Sequence, residues 1–202
     1  IGDRDADGPG DVGPADDFSV LVRLVAPGGE SGTARLRAID ASGKSTDLGS
    51  VKFESHAVAE LPIAVWPKDA NAVVVEADAP LVGSVFGSAH AGERHDFAWF
   101  AAAPEIEPGQ PFAVPVVGGG QLIVVNTGAE EATVEVTNPA GKTAKTVVKA
   151  GAAAVVAAPP SALIESSAPI RAGVRYASGA DIDGYPILSA GERDGALTVY
   201  TR

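Results

Sequence analysis

The feature that most constrains this chain is that it repeats itself. Ala34-Arg35-Leu36-Arg37-Ala38-Ile39-Asp40-Ala41-Ser42-Gly43-Lys44-Ser45 returns, about 98 residues later, as Ala132-Thr133-Val134-Glu135-Val136-Thr137-Asn138-Pro139-Ala140-Gly141-Lys142-Thr143. Ala79–Val85 returns as Ala168–Val174 at an offset of about 89, so one connection in the second copy is shorter. A period near 100 residues is too long for a solenoid unit and suits a whole small domain. The chain therefore reads as two copies of one domain in tandem.

Short runs of Val, Thr, Ile and Leu lie between clusters of Gly, Pro, Asn and Asp, and this favours strands. In the first copy the strand candidates are Val20–Val25, the alternating stretch around Leu36 and Ala38, Leu48–Phe53, Ala59–Val65, Ala72–Ala77, Leu81–Ser88 and Asp96–Ala101. In the second they are Leu122–Asn126, Thr133–Thr137, Lys145–Lys149, Ala153–Ala158, Ala162–Glu165, Ile170–Ala177, Tyr185–Ser189 and Leu197–Thr201. Ala41–Lys44 and Asn138–Lys142 are hairpin turns, with a glycine where a positive φ is required. Helix competes only over Ala150–Ala158, because Ala is the best helix former; the repeat assigns it to a strand. Seven or eight short strands per copy, with turn signals every 8–12 residues, predict an all-β protein of two tandem immunoglobulin-like antiparallel β-sandwich domains.

The expected organisation is an acidic linker over 1–17, a first domain over 18–104, a linker over 105–111 and a second domain over 112–202. Residues 1–17 hold six Asp and one Arg among Gly, Pro and Ala, too little apolar surface to form a core. Pro104, Pro108 and Pro111 stiffen the second linker. The chain has no Met and begins inside an Asp/Gly stretch, which predicts a fragment of a longer protein whose signal peptide or membrane anchor lies upstream.

A net charge of −11 repels a phosphate backbone and an anionic lipid surface, which argues against nucleic acid as a partner. Without cysteine there are no disulfides, no thiolate catalysis and no Cys-ligated zinc. No G-x-S-x-G elbow occurs, and Gly118-Gly119-Gly120 lacks the Lys-Ser/Thr of a phosphate loop. Three weak constellations remain. Asp3, Asp5 and Asp7, followed by Gly8, match the opening of a calcium loop, with Pro14 where its bidentate Glu belongs. His90, His95 and Asp96 lie close together as candidate zinc ligands, but no third imidazole is near and zinc needs three or four well-placed ligands. Trp66 and Trp99 are the aromatics that could stack on a sugar ring if exposed; core packing is the plainer use for them. Arg171 and Arg175 share one strand face as surface cations. No cofactor is expected.

The run Asp96-Phe97-Ala98-Trp99-Phe100-Ala101-Ala102-Ala103-Pro104 resembles a recurrent motif of a family of large secreted or membrane-anchored actinobacterial proteins, a domain family of unknown function. Leu122–Ala129 leading into Glu131–Val136, and Ala168–Ile170 leading into Ala172–Val174, are similar to it too. The resemblance spans most of residues 18–202. The chain departs from the pattern in having Phe100 where a smaller residue or Pro is expected, and His95 just before the motif. The resemblance implies an exported envelope protein and brings no catalytic residues. The expectation is a non-enzymatic scaffold or protein-interaction module, secreted or anchored outside the cytoplasm, whose partner is another envelope protein or a wall component. A carbohydrate-binding module for wall glycans is the alternative, and a metal-dependent enzyme a distant third.

Overall fold

A computed structural model of the chain describes residues 18–116 and 119–188. Asp3, Asp5, Asp7 and the expected strand Leu197–Thr201 lie outside them. Every regular element described is a strand: β1 (Phe18–Val25), β2 (Gly32–Asp40), β3 (Ser45–Phe53), β4 (Val58–Ile63), β5 (Ala70–Ala77), β6 (Val82–Ala91), β7 (Arg94–Ala101), β8 (Phe112–Val114), β9 (Gln121–Asn126), β10 (Ala132–Thr137), β11 (Thr143–Val148), β12 (Ala153–Val156), β13 (Ala162–Ser166), β14 (Ile170–Ser178) and β15 (Asp181–Pro186). The Ala-rich stretch is the strand β12, ending two residues sooner than expected, before Ala157. The strand expected at Tyr185–Ser189 is instead Asp181–Pro186, the return arm of a hairpin from β14. The short β8 has no counterpart among the expected strands.

All pairings within the sheets are antiparallel, and the repeat is written into their order. One sheet runs β4-β1-β6-β7 and another β3-β2-β5; the later pair runs β12-β9-β14-β15 and β11-β10-β13-β8. Adding eight to each label of the first pair reproduces the second, with β8 as the one extra strand among the described residues. Each pair of sheets encloses its own core. Val20, Val22, Leu24, Leu36, Phe53 and Ile63 are buried together in the first. Val114, Leu122, Val124, Val134, Ile164 and Ile170 are buried together in the second. The antiparallel sandwich class predicted from the strand pattern is the class observed.

The period-2 pattern explains the faces. Ala34, Leu36 and Ala38 are buried, while Arg35 and Arg37 point outward and pair with Asp47 and Glu76. Asp40 and Asn138 then close the matching turns in the same way. The Asp40 carboxylate accepts the backbone N–H of Ser42 at 2.8 Å and of Lys44 at 3.0 Å. The Asn138 side-chain oxygen accepts from Ala140 at 3.0 Å and Lys142 at 2.9 Å. Gly43 and Gly141 supply the positive φ at the tip, 87° and 78°.

At the other end of these strands the copies slip. Thr33 and Asp78 exchange hydrogen bonds, Thr33 N–H to the Asp78 carboxylate and Asp78 N–H to the Thr33 carbonyl. Thr133 and Ser167 exchange them in the same sense. The copies are thus 98 residues apart at the turn and 100 apart at this clamp, so the stretch from clamp to turn is two residues longer in the first unit. A slip of two leaves every inward side chain inward, which is why the sequence match survives it.

The linker and a junction tie the units together. Ile106 is fully buried in the second core and exchanges backbone hydrogen bonds with Ile170. Ile39, Ala70, Ile123, Ala153, Ala180 and Ile182 are buried yet belong to neither core cluster. Their strands meet across the junction, β5 and β2 against β12, β5 against β9, and β7 and β6 against β15. Asn71 Nδ2 donates to the Ala153 carbonyl at 2.8 Å.

Candidate functional site

The outer face of the β4-β1-β6-β7 sheet carries most of the exposed large apolar side chains of the first unit. Val20, Val22 and Leu24 point into the core, so alternation sends Leu21, Arg23 and Val25 outward. Cross-strand register then builds the face row by row. Val25 lies opposite Val58 and Val82; Arg23 opposite Glu60 and Ser84; Leu21 opposite Pro62 and Phe86. Trp99 lies opposite Phe86, Phe97 opposite Ser88, and His95 opposite His90. Phe97 is 63% exposed, Val58 and Val82 are each 61% exposed, and Trp99 is 38% exposed.

The aromatics are packed on one another. Phe86 stacks with Phe97 at 5.8 Å between ring centroids and meets Trp99 at 5.1 Å, tilted by 59°. The Arg23 guanidinium lies 4.8 Å from the centre of the Trp99 ring and donates from Nε to the Glu60 carboxylate at 2.8 Å. The cation is therefore held between a carboxylate and the negative face of an indole. The result is a flat platform with an apolar end, a central ion pair and an aromatic end. Its side chains arrive with little freedom left to lose on binding.

Alternation also decides the fate of the other sequence candidates. His90 and His95 extend this face as a stacked pair, ring centroids 5.7 Å apart. Asp96, between His95 and Phe97, projects from the opposite side. Its carboxylate accepts the backbone N–H of Ile182 at 3.0 Å and of Phe97 at 2.9 Å. Those two bonds, the Ile182 one foremost, hold its pKa below the usual carboxylate value. Asp96 is thus a tie across the junction, and the two imidazoles do not converge with it. Among the described residues no group of three or more His, Asp or Glu side chains is placed to hold a metal ion.

Trp66 is half-buried against the first core, whereas Trp99 stands on the outer face. Phe100, where the resemblance led us to expect a smaller residue or Pro, turns away from that face and packs over Gly184 of β15. Arg171 donates to the Ala103 carbonyl at 2.7 Å and approaches Glu105, so it fastens the linker. Arg175 is half-buried and donates to Gln121 at 2.7 Å; burial lowers its pKa.

The family model of DUF5719, a family of unknown function, matches residues 11–159. The chain belongs to that family. The DUF5719 match takes in β1 to β12, and with them every residue of the aromatic face. No curated protein matches the chain. Phe86, Val58 and Val82 escaped the sequence reading. The signal that finds them is the parity of β1: once Val20 and Val22 are inward, their cross-strand neighbours fix which residues of β4 and β6 face out.

Proposed function

We propose that this chain is a non-enzymatic interaction module of an exported, envelope-associated actinobacterial protein, and that it docks a protein partner through the outer face of β4-β1-β6-β7. The observation that carries the reading is the pair of exposed aromatics Phe97 and Trp99 packed on the part-buried Phe86, with exposed Val58 and Val82 on the far side of the Arg23–Glu60 pair. Isolated exposed apolar residues are ordinary, but several gathered on one face mark a contact surface. Aromatic and Arg side chains at its centre are the residue types that dominate binding energy. Four strands about 4.8 Å apart and eight residues long give a face of roughly 500 Å². That is below the ~800 Å² per partner of a standard interface, so the contact is a small one or part of a larger surface. Export and the actinobacterial envelope rest on the resemblance of Asp96–Pro104 to proteins of that kind. No helix among the described residues is long and apolar enough to cross a membrane.

Glycan binding is the second reading, favoured by the partial exposure of Trp99. Against it, the Arg23 guanidinium already lies over the indole, and a sugar ring stacking there must displace it. Tryptophan fluorescence separates the two, with a Trp99→Phe variant isolating the signal of Trp66. Wall polysaccharide is expected to leave the Trp99 emission unchanged. A saturable shift that disappears in Trp99→Phe would overturn the protein-docking reading in favour of the glycan one.

A further inference from the structure

The duplication shows what the described residues of the first unit lack. In the second unit β8 closes the edge of its sheet by pairing with β13, Phe112 opposite Ile164 and Val114 opposite Ala162. Phe112 and Val114 point into the core and are buried, with Ala113 exposed between them. The strand equivalent to β13 is β5. The Thr33–Asp78 and Thr133–Ser167 clamps equate Asp78 with Ser167, and hence Val75 with Ile164 and Val73 with Ala162. Among the described residues β5 pairs with β2 alone.

Exposure registers the difference. Val75 lies opposite the fully buried Leu36 and so faces inward. It is nevertheless 36% exposed, where Ile164 is 0% exposed. Ala77 is exposed, where its counterpart Ser166 is buried. The hydrogen bond across the junction reaches β5 at its start, from Asn71 to the Ala153 carbonyl.

We propose that the edge of β5 from Val73 to Ala77 is an acceptor site for an extended segment of a partner polypeptide, which adds to it as an antiparallel strand in the manner of β8. Backbone pairing supplies affinity and the alternate side chains supply selectivity. The segment carries two large apolar side chains two residues apart, the first over Val75 as Phe112 lies over Ile164. An antiparallel segment brings its N-terminal end to Glu76 and Asp78, both exposed, so cations ahead of the apolar pair complement the site. This site is on the other sheet from the aromatic face and stands whether or not that face binds anything.

The test uses the full chain and a fluorescein-labelled peptide Lys-Lys-Gln-Pro-Phe-Ala-Val-Pro, which is the β8 sequence behind two lysines. Fluorescence anisotropy reads binding, and hydrogen–deuterium exchange reads where it occurs. Saturable binding is expected, with slowed exchange confined to Val73–Ala77. Replacing the peptide Phe by Asp is expected to weaken binding about tenfold or more, and Val75→Asp in the protein likewise. The peptide variant keeps the test decisive if Val75→Asp fails to fold. The proposal is overturned if the peptide does not bind at millimolar concentration or if its Asp form binds equally well. Exchange at Val73–Ala77 that is already as slow as at Ile164 in the free chain also overturns it. If that protection is present whatever the concentration, the chain's own ends fill the edge; if it grows with concentration, a second copy does.

Discussion

Gly184→Ala is the substitution whose effect follows most directly from the geometry. A β-carbon at Gly184 would sit 2.5 Å from Phe100 Cε1 and 2.6 Å from the Val174 carbonyl oxygen. The phenyl ring can turn aside, but the oxygen belongs to the backbone of β14, whose pairing with β15 fixes it. Overpacking of this kind costs about 1–3 kcal/mol, and replacing a strand glycine returns at most about 1 kcal/mol of chain entropy. The net expectation is destabilisation by about 1–2 kcal/mol. With a urea m-value of roughly 2 kcal/mol/M, the unfolding midpoint falls by about 0.5–1 M at unchanged slope. A double-mutant cycle apportions the loss: in a Phe100→Ala background the Gly184→Ala penalty shrinks by the share due to the ring, and the share due to the Val174 oxygen remains. A midpoint within error of the parent protein would refute the close approach of β7 and β15.

Three further outcomes are expected. Asn126 is buried, donates to the carbonyls of Glu130 and Val148 and accepts from Gly128 N–H; Asn126→Leu leaves all three unpaired and costs about 2–4 kcal/mol in a denaturant titration. Asp40, Asp47 and Asp96 have pKa values held below the ordinary 3.8, by the Ser42 hydroxyl, the Gly49 N–H and the Ile182 N–H respectively as the largest causes. Their contribution is complete above the ordinary carboxylate range and is lost as pH falls through it. Urea midpoints are therefore expected to be level from pH 7 to 5 and to drop below pH 4, the drop being smaller in Asp40→Ala. Arg23→Ala removes the ion pair and the cation over Trp99; about 0.5–1 kcal/mol of stability is lost, and the Trp99 emission shifts to the red.

Much of the fold was legible because its signals are local. Alternation marks Leu36 and Ala38 as inward, and Asp40-x-x-Gly43 marks a turn whatever surrounds it. The repeat then carries the same reading to Val134 and Asn138. β8 was not legible: three residues between Pro111 and Pro115 carry no period, and only the edge of β13 makes them a strand. The position of β15 was obscured because Asp181, Asp183 and Gly184 are poor strand formers held by pairing to β14 and by packing under Phe100. The aromatic site was half legible. Trp99 could be singled out by composition, but its company comes from two other strands, Phe86 and Val82 from β6 and Val58 from β4. His90, His95 and Asp96 show the converse, adjacency in sequence being undone by alternation, which sends Asp96 to the junction.

The central claim is that the β4-β1-β6-β7 face meets a protein. Its most direct test places a photo-crosslinking benzophenone side chain at position 97 in the protein expressed from its native locus, with the exposed position 147 on β11 of the second unit as the control. The account predicts a discrete protein adduct from position 97 that is absent from position 147 and abolished by Val82→Glu. No adduct at position 97, or one that glycan-degrading enzymes remove, would contradict it.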